Sequence, residues 1–209
     1  RPIEQMTEEY DLMVIDYPHV GEVSAKGLLQ NFDVQKYKDD LELLKKQSVG
    51  LSHQSYNIDG HQWALALDAA TQVCCFRSDL ITSLPKSWDE LFVLAKNKRV
   101  IWPLKPVHAI SSFYSIYNNI TNDFEPKDKN FVQKDFGVQT LKMMKHISKY
   151  LLHECFTMDP IRTAEILSET DDFFYSPYTY GFSNYSRAGY RKNLLTYGNV
   201  IDLSNKGPH

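Results

Sequence analysis

Cysteine is scarce in this chain of 209 residues. There are three, an odd number, and no set of them is spaced like a zinc site. Cys74 and Cys75 are neighbours on a predicted strand and point to opposite faces, so they cannot pair without strain. Pairing of either with Cys155 and burial of all three as free thiols both stay open. Charge of one sign is also missing: 23 Lys and Arg stand against 26 Asp and Glu, a net −3 with no basic stripe. That argues against a nucleic-acid partner. No apolar run approaches a membrane span, and no charged-then-apolar leader opens the chain. Arg1-Pro2-Ile3 reads as the interior of a longer protein. No Gly-x-Ser-x-Gly elbow, phosphate-cradling loop or Gly-x-Gly-x-x-Gly occurs, and no cofactor is implied. The paired acids Asp39-Asp40 and Asp171-Asp172 diverge as neighbours do, whereas a glycosidase needs two carboxyl groups facing each other. A hydrolase would therefore rest on Asp16 meeting Asp68, and a non-catalytic adapter is the other alternative. Internal repeats and low-complexity tracts are absent.

What is present is an ordinary globular composition, 43% hydrophobic, with strand and helix patterns alternating. Residues 3–9 read as the end of a helix and Tyr10 to Ile15 as a buried strand. Residues 21–32 read as a short helical connection and Tyr37 to Gln47 as a helix with a solvated charged face. His61 to Phe76 reads as one long extended run opened by a turn at Asp59-Gly60. Ser87 and Glu90 form a capping box for the next helix. Arg99 to Leu104 is a strand, Val107 to Asn119 a helix, and Thr121 to Lys134 a surface loop. Phe136, Val138, Leu141, Met144, Ile147 and Leu151 recur at helical spacing. Asp159-Pro160 starts a further helix. Phe173 onward is a strand running into an aromatic loop, and Leu194 to Leu203 is a final strand.

In open α/β sheets ligands sit beyond the carboxyl ends of strands. Asp16, Tyr17 and His19 follow one strand, and Trp102, Lys105 and His108 close another. Asp16 could equally form a turn, and Trp102 could equally be core. Asp68 ends an apolar run, and a buried carboxylate there needs partners. Gln72 donates and accepts at once, as hydroxyls do. Tyr178, Tyr180, Asn184 and Tyr185 interleave aromatic faces with small polar residues, a pattern suited to sugar C–H faces and hydroxyls and also to a sheet core.

A family resemblance covers most of the chain. Asp59-Gly60, the strand Trp63 to Asp68, Phe76-Arg77-Ser78-Asp79-Leu80-Ile81 and Pro85-Lys86-Ser87-Trp88-Asp89-Glu90 follow the order of the lobe-crossing segment of extracellular solute-binding proteins serving carbohydrate ABC importers. Tyr10 to Pro18 upstream and Tyr178 to Tyr185 downstream are similar to the same family. Ala66 stands where many relatives carry Pro. The resemblance implies an α/β, periplasmic-binding-protein-like two-lobe fold with crossing hinge strands. It implies that residues 1–67 are part of an incomplete first lobe, 68–197 a second lobe and 198–209 a return to the first. It further implies a carbohydrate ligand, an ABC permease as partner, an extracytoplasmic location, and membrane contact only through a lipid anchor outside this chain. Members of the family are longer, with an opening strand and helix before residue 1 and a tail beyond His209.

Overall fold

The computed structural model describes residues 2–33, 35–122 and 131–204. The chain divides into two compact units, Arg1–Ala69 and Ala70–His209.

The first unit carries α1 (Ile3–Glu9), α2 (Val20–Ala25), α3 (Lys38–Gln47) and a hairpin of β1 (Asn57–Ile58) and β2 (His61–Gln62). The hairpin turns through Asp59 (φ 53°) and Gly60 (φ 82°), two left-handed positions that the Asp-Gly pair tolerates. Polar ties organise this unit more than a core does. The Gln62 amide donates to the His53 and Ala64 carbonyls, at 2.9 and 2.8 Å. Asp33 accepts from the Gln62 backbone N–H at 3.0 Å and meets the His61 ring. Of its apolar side chains, only Val20 and Val23 are buried among the described residues.

Two expectations fail here. Tyr10 to Ile15 is not a buried strand: no strand of the described residues pairs with it, and Leu12 and Val14 are 85% and 79% exposed. The long run from His61 is also not one strand. Strand pairing stops at Gln62 and resumes at Gln72: the Trp63 N–H still donates to the Tyr56 carbonyl at 3.0 Å, but no strand of the described residues pairs with residues 64–71.

The second unit is built on β3 (Gln72–Phe76), flanked antiparallel by β4 (Tyr175–Tyr180) and β5 (Thr196–Gly198). The expected strand at 99–104 is an extended segment alongside β4. It bridges Val100 to Tyr175 in parallel, and the Ile101 N–H donates to the Tyr175 carbonyl at 3.0 Å. Around the sheet lie α4 (Trp88–Lys96), α5 (Pro106–Thr121), α6 (Lys134–Ser148) and α7 (Pro160–Glu169). Their starts follow local chemistry. Ser87 Oγ accepts from the Glu90 N–H at 3.2 Å, while the Glu90 carboxylate reaches back to the Lys86 N–H at 2.9 Å, one residue outside the usual box. Asp159 Oδ1 accepts from the Arg162 N–H at 2.8 Å ahead of Pro160. The surface loop expected at 121–134 begins later and ends sooner, since α5 includes Thr121 and α6 starts at Lys134; residues 123–130 lie outside the described ones.

One core cluster joins Cys74, Trp88, Leu91, Trp102, Ile116, Ile147 and Tyr178. A second gathers Cys75, Ile101, Cys155, Leu167, Tyr185 and Leu195. All three cysteines are buried free thiols. Burial pushes the Cys75 thiol up to about 12, so it stays protonated and inert. The final strand is shorter than expected, and residue 198 is not where the chain leaves this unit. Ile201 and Leu203 are buried in the first cluster, tied to α5 through Asn119, which donates to the Ile201 carbonyl at 2.9 Å and accepts from the Leu203 N–H at 2.6 Å.

Candidate functional site

One end of the second unit's sheet concentrates the polar chemistry. β3 begins there with Gln72, β4 ends there with Tyr180 directly opposite it, and the extended segment 100–104 runs out into Lys105 and the start of α5. Beneath this edge lies a buried polar network. The Gln72 amide nitrogen donates to Ser112 Oγ at 3.1 Å, and the Trp102 indole N–H donates to the same oxygen at 3.1 Å. Ser115 Oγ donates to Gln72 Oε1 at 2.8 Å. Ser112 and Trp102 are fully buried and Gln72 nearly so, and desolvated polar groups hold position only when paired in this way. The Trp102 ring stacks on Tyr178, centroids 5.5 Å apart, and meets Trp88 edge-on at 6.3 Å. Tyr178 is wholly buried; its hydroxyl finds no hydrogen-bond partner among the described residues, and burial raises its pKa above the phenol's ordinary value.

At the surface of the same edge, His108 meets the half-buried Tyr180 edge-on, ring centroids 6.4 Å apart. Partial burial lowers the His108 pKa; the Asp159 carboxylate opposes that and the Lys105 ammonium adds to it. The imidazole is therefore neutral at neutral pH, with one nitrogen to donate and one to accept. Lys105 itself is exposed at the residue preceding α5.

Six of the twelve residues singled out from sequence thus share one end of this unit: Gln72, Trp102, Lys105, His108, Tyr178 and Tyr180. Gln72, Trp102 and Tyr178 are buried supports, while His108, Tyr180 and Lys105 reach the surface. Tyr185 is elsewhere. It is buried in the second cluster, and its hydroxyl donates to Glu165 at 2.5 Å, a carboxylate that Arg191 also grips at 2.7 and 2.9 Å. Asn184, one position earlier in the same short 3-10 turn, is exposed. Asp16, Tyr17, His19 and Asp68 belong to the first unit and are all exposed. Tyr17 meets Tyr56 edge-on at 6.0 Å. Asp68 is solvated, so the partners expected of a buried carboxylate are not required. Ser112 and Ser115 were not singled out from sequence. They sit four and seven positions after His108, a helical spacing that puts all three on one face of α5, and that periodicity was the available signal.

Among the described residues no group of His, Cys, Asp and Glu could hold a metal ion, and no helix is long and apolar enough to cross a membrane. No family model matches the chain, and no curated protein does. Solved structures match over nearly its whole length. An ABC transporter solute-binding protein from Agrobacterium radiobacter in complex with ribitol aligns with a TM-score of 0.71 at 18% identity, covering 94% of this chain and 54% of that one. The fold is that of an ABC-importer solute-binding protein. A second such protein, from Agrobacterium vitis with bound D-mannitol, gives 0.67 at 13% identity, covering 96% and 52%. The maltotriose-binding protein of Thermus thermophilus, bound with maltotriose, gives 0.61 at 12% identity, covering 92% and 52%. At these identities the likeness is one of fold. The chain spans about half the length of the solute-binding structures it matches.

Proposed function

We propose that this chain is part of a binding protein that captures a sugar or polyol and hands it to an ABC permease on the extracytoplasmic face of a membrane. One observation carries the reading: the fold is shared with proteins whose solved structures hold ribitol, D-mannitol and maltotriose, three polyhydroxylated solutes. The edge of the second unit suits such a solute chemically. Tyr180 offers an aromatic face and a phenol, the neutral His108 offers a donor and an acceptor, and Lys105 offers a further donor. In this reading Asp16, Tyr17, His19 and Asp68, all exposed, are further candidate solute contacts.

The protein turns nothing over. Contacts made only with solute bound shift the population toward a closed form, and the closed form docks on the permease. Any attachment to the membrane would be through a lipid anchor outside these residues. A site of this kind binds at about −8 kcal/mol, a roughly micromolar affinity. Calorimetric titration with ribitol, D-mannitol and maltotriose tests the reading. Saturable binding of at least one, weakened about tenfold or more in Tyr180→Ala, is the expected result. Binding unchanged by Tyr180→Ala contradicts the site, and binding of none of the three contradicts the function.

A further inference from the structure

We infer that Ser112, with Ser115 beside it, is a positioning residue that fixes the His108–Tyr180 pair by locking α5 onto the end of β3; the link to solute capture rests on the function proposed above. Ser112 Oγ accepts two hydrogen bonds at once, one from Gln72 on the central strand and one from the Trp102 indole on the neighbouring extended segment. Both lone pairs of the hydroxyl are thereby used. Ser115 completes the clamp by donating to Gln72 Oε1 at 2.8 Å, so both ends of that amide are held by one helix.

Gln72 is in turn the register partner of Tyr180, and His108 lies one helical turn before Ser112 on the same face of α5. The two half-buried recognition groups therefore hang from the two arms of a single clamp. Ser112 is wholly buried and Ser115 half-buried. Their effect on a bound solute passes through the geometry of His108 and Tyr180. Side chains that meet a ligand bind well only when a packed, hydrogen-bonded layer behind them sets their orientation.

Removing the Ser112 hydroxyl leaves the Trp102 N–H and one Gln72 N–H buried without that acceptor, removing the Ser115 hydroxyl leaves Gln72 Oε1 without that donor, and in either case α5 is free to shift relative to β3. The shift opens the His108 environment to water. The titratable and charged groups that act on this imidazole, Lys105 and Asp159, stay as they are.

The test compares the 209-residue chain with Ser112→Ala and Ser115→Ala. It follows the His108 titration and the His108–Tyr180 ring cross-peak by NMR, together with calorimetric titration by ribitol, D-mannitol and maltotriose. The expected result is a His108 pKa that rises toward the ordinary histidine value, a weakened cross-peak, and affinity reduced tenfold or more. A lowered melting temperature with the His108 titration and the affinity both unchanged overturns the inference, because the hydroxyls would then serve stability alone. Should Ser112→Ala fail to fold, the half-buried Ser115→Ala carries the same readouts. Should the wild-type chain bind none of the three solutes, the functional reading fails, while the His108 titration and the cross-peak still decide the positioning role.

Discussion

His108 ties its own ionisation to the stability of the second unit. Its folded-state pKa is lowered, so the unfolded chain binds more protons than the folded one between the folded value and the ordinary histidine range. Stability therefore rises with pH through that window, levels off above the unfolded value, and is lost as the pH falls. His108→Gln should flatten the slope of melting temperature against pH over the mildly acidic range, which thermal scans at several pH values would show; an unaltered slope would place the titrating group elsewhere.

Arg77 poses the opposite case, a buried cation with every donor direction used. It forks onto Asp79 at 2.8 and 2.7 Å, reaches Asp171 at 2.9 Å, and donates to the Leu167 and Thr170 carbonyls at 3.1 and 2.9 Å, so it closes the end of α7. Its guanidinium holds the Asp79 carboxyl below the usual range. Arg77→Met keeps much of the apolar stem but strands two carbonyls at a helix end, and should cost about 2–4 kcal/mol in a urea melt. Arg77→Lys should recover only part of that, since an ammonium cannot fork.

Elements whose cause is local were legible in the sequence. Ser87 and Asp159 announce the starts of α4 and α7 because a cap needs only residues within one turn, and Asp59-Gly60 announces a hairpin because the turn itself demands positive φ. Strands depend on a neighbour that sequence pattern alone does not supply. Tyr10 to Ile15 has the apolar density of a strand and no partner among the described residues, and residues 64–71 have the pattern without the pairing. The candidate site divides on the same line. Trp102, Lys105 and His108 could be placed at a strand end by order alone, whereas Tyr180 is legible only through the aromatic and small polar residues interleaved around it. The role of Gln72 as a strut depended on Ser112, forty positions away in sequence, and Tyr185 went to a core because Glu165 and Arg191 were waiting for its hydroxyl.

Packing at one helix position makes a further expectation that propensity alone would reverse. Gly137 lies inside α6, where Gly→Ala ordinarily gains about 1 kcal/mol. A Cβ built there would stand 2.6 Å from Val132 Cγ1. Gly137→Ala should therefore lower the urea midpoint, and Gly137→Ala combined with Val132→Ala should restore it. A midpoint raised by the single change would show that the 132–137 turn yields freely.

The two units differ in how much each can hold itself together. The second has two apolar clusters and a three-stranded sheet. The first has a two-residue hairpin ladder and leaves Leu12, Val14, Val49, Leu51 and Leu67 largely exposed. Small units with little buried apolar area open easily. Hydrogen exchange should find slow amides in β3, β4 and α5, and rapid exchange across residues 10–15. Slow exchange at 10–15 would mean that this stretch is paired in solution.

The central claim is that a polyhydroxylated solute lands on the sheet edge carrying His108 and Tyr180. Titrating the chain with ribitol, D-mannitol and maltotriose while following side-chain ring and amide resonances tests it most directly. The account predicts saturable shifts centred on His108, Tyr180 and the first turn of α5, carried inward to the Trp102 indole N–H. Saturable shifts that leave all of these unmoved and cluster elsewhere on the chain would contradict it.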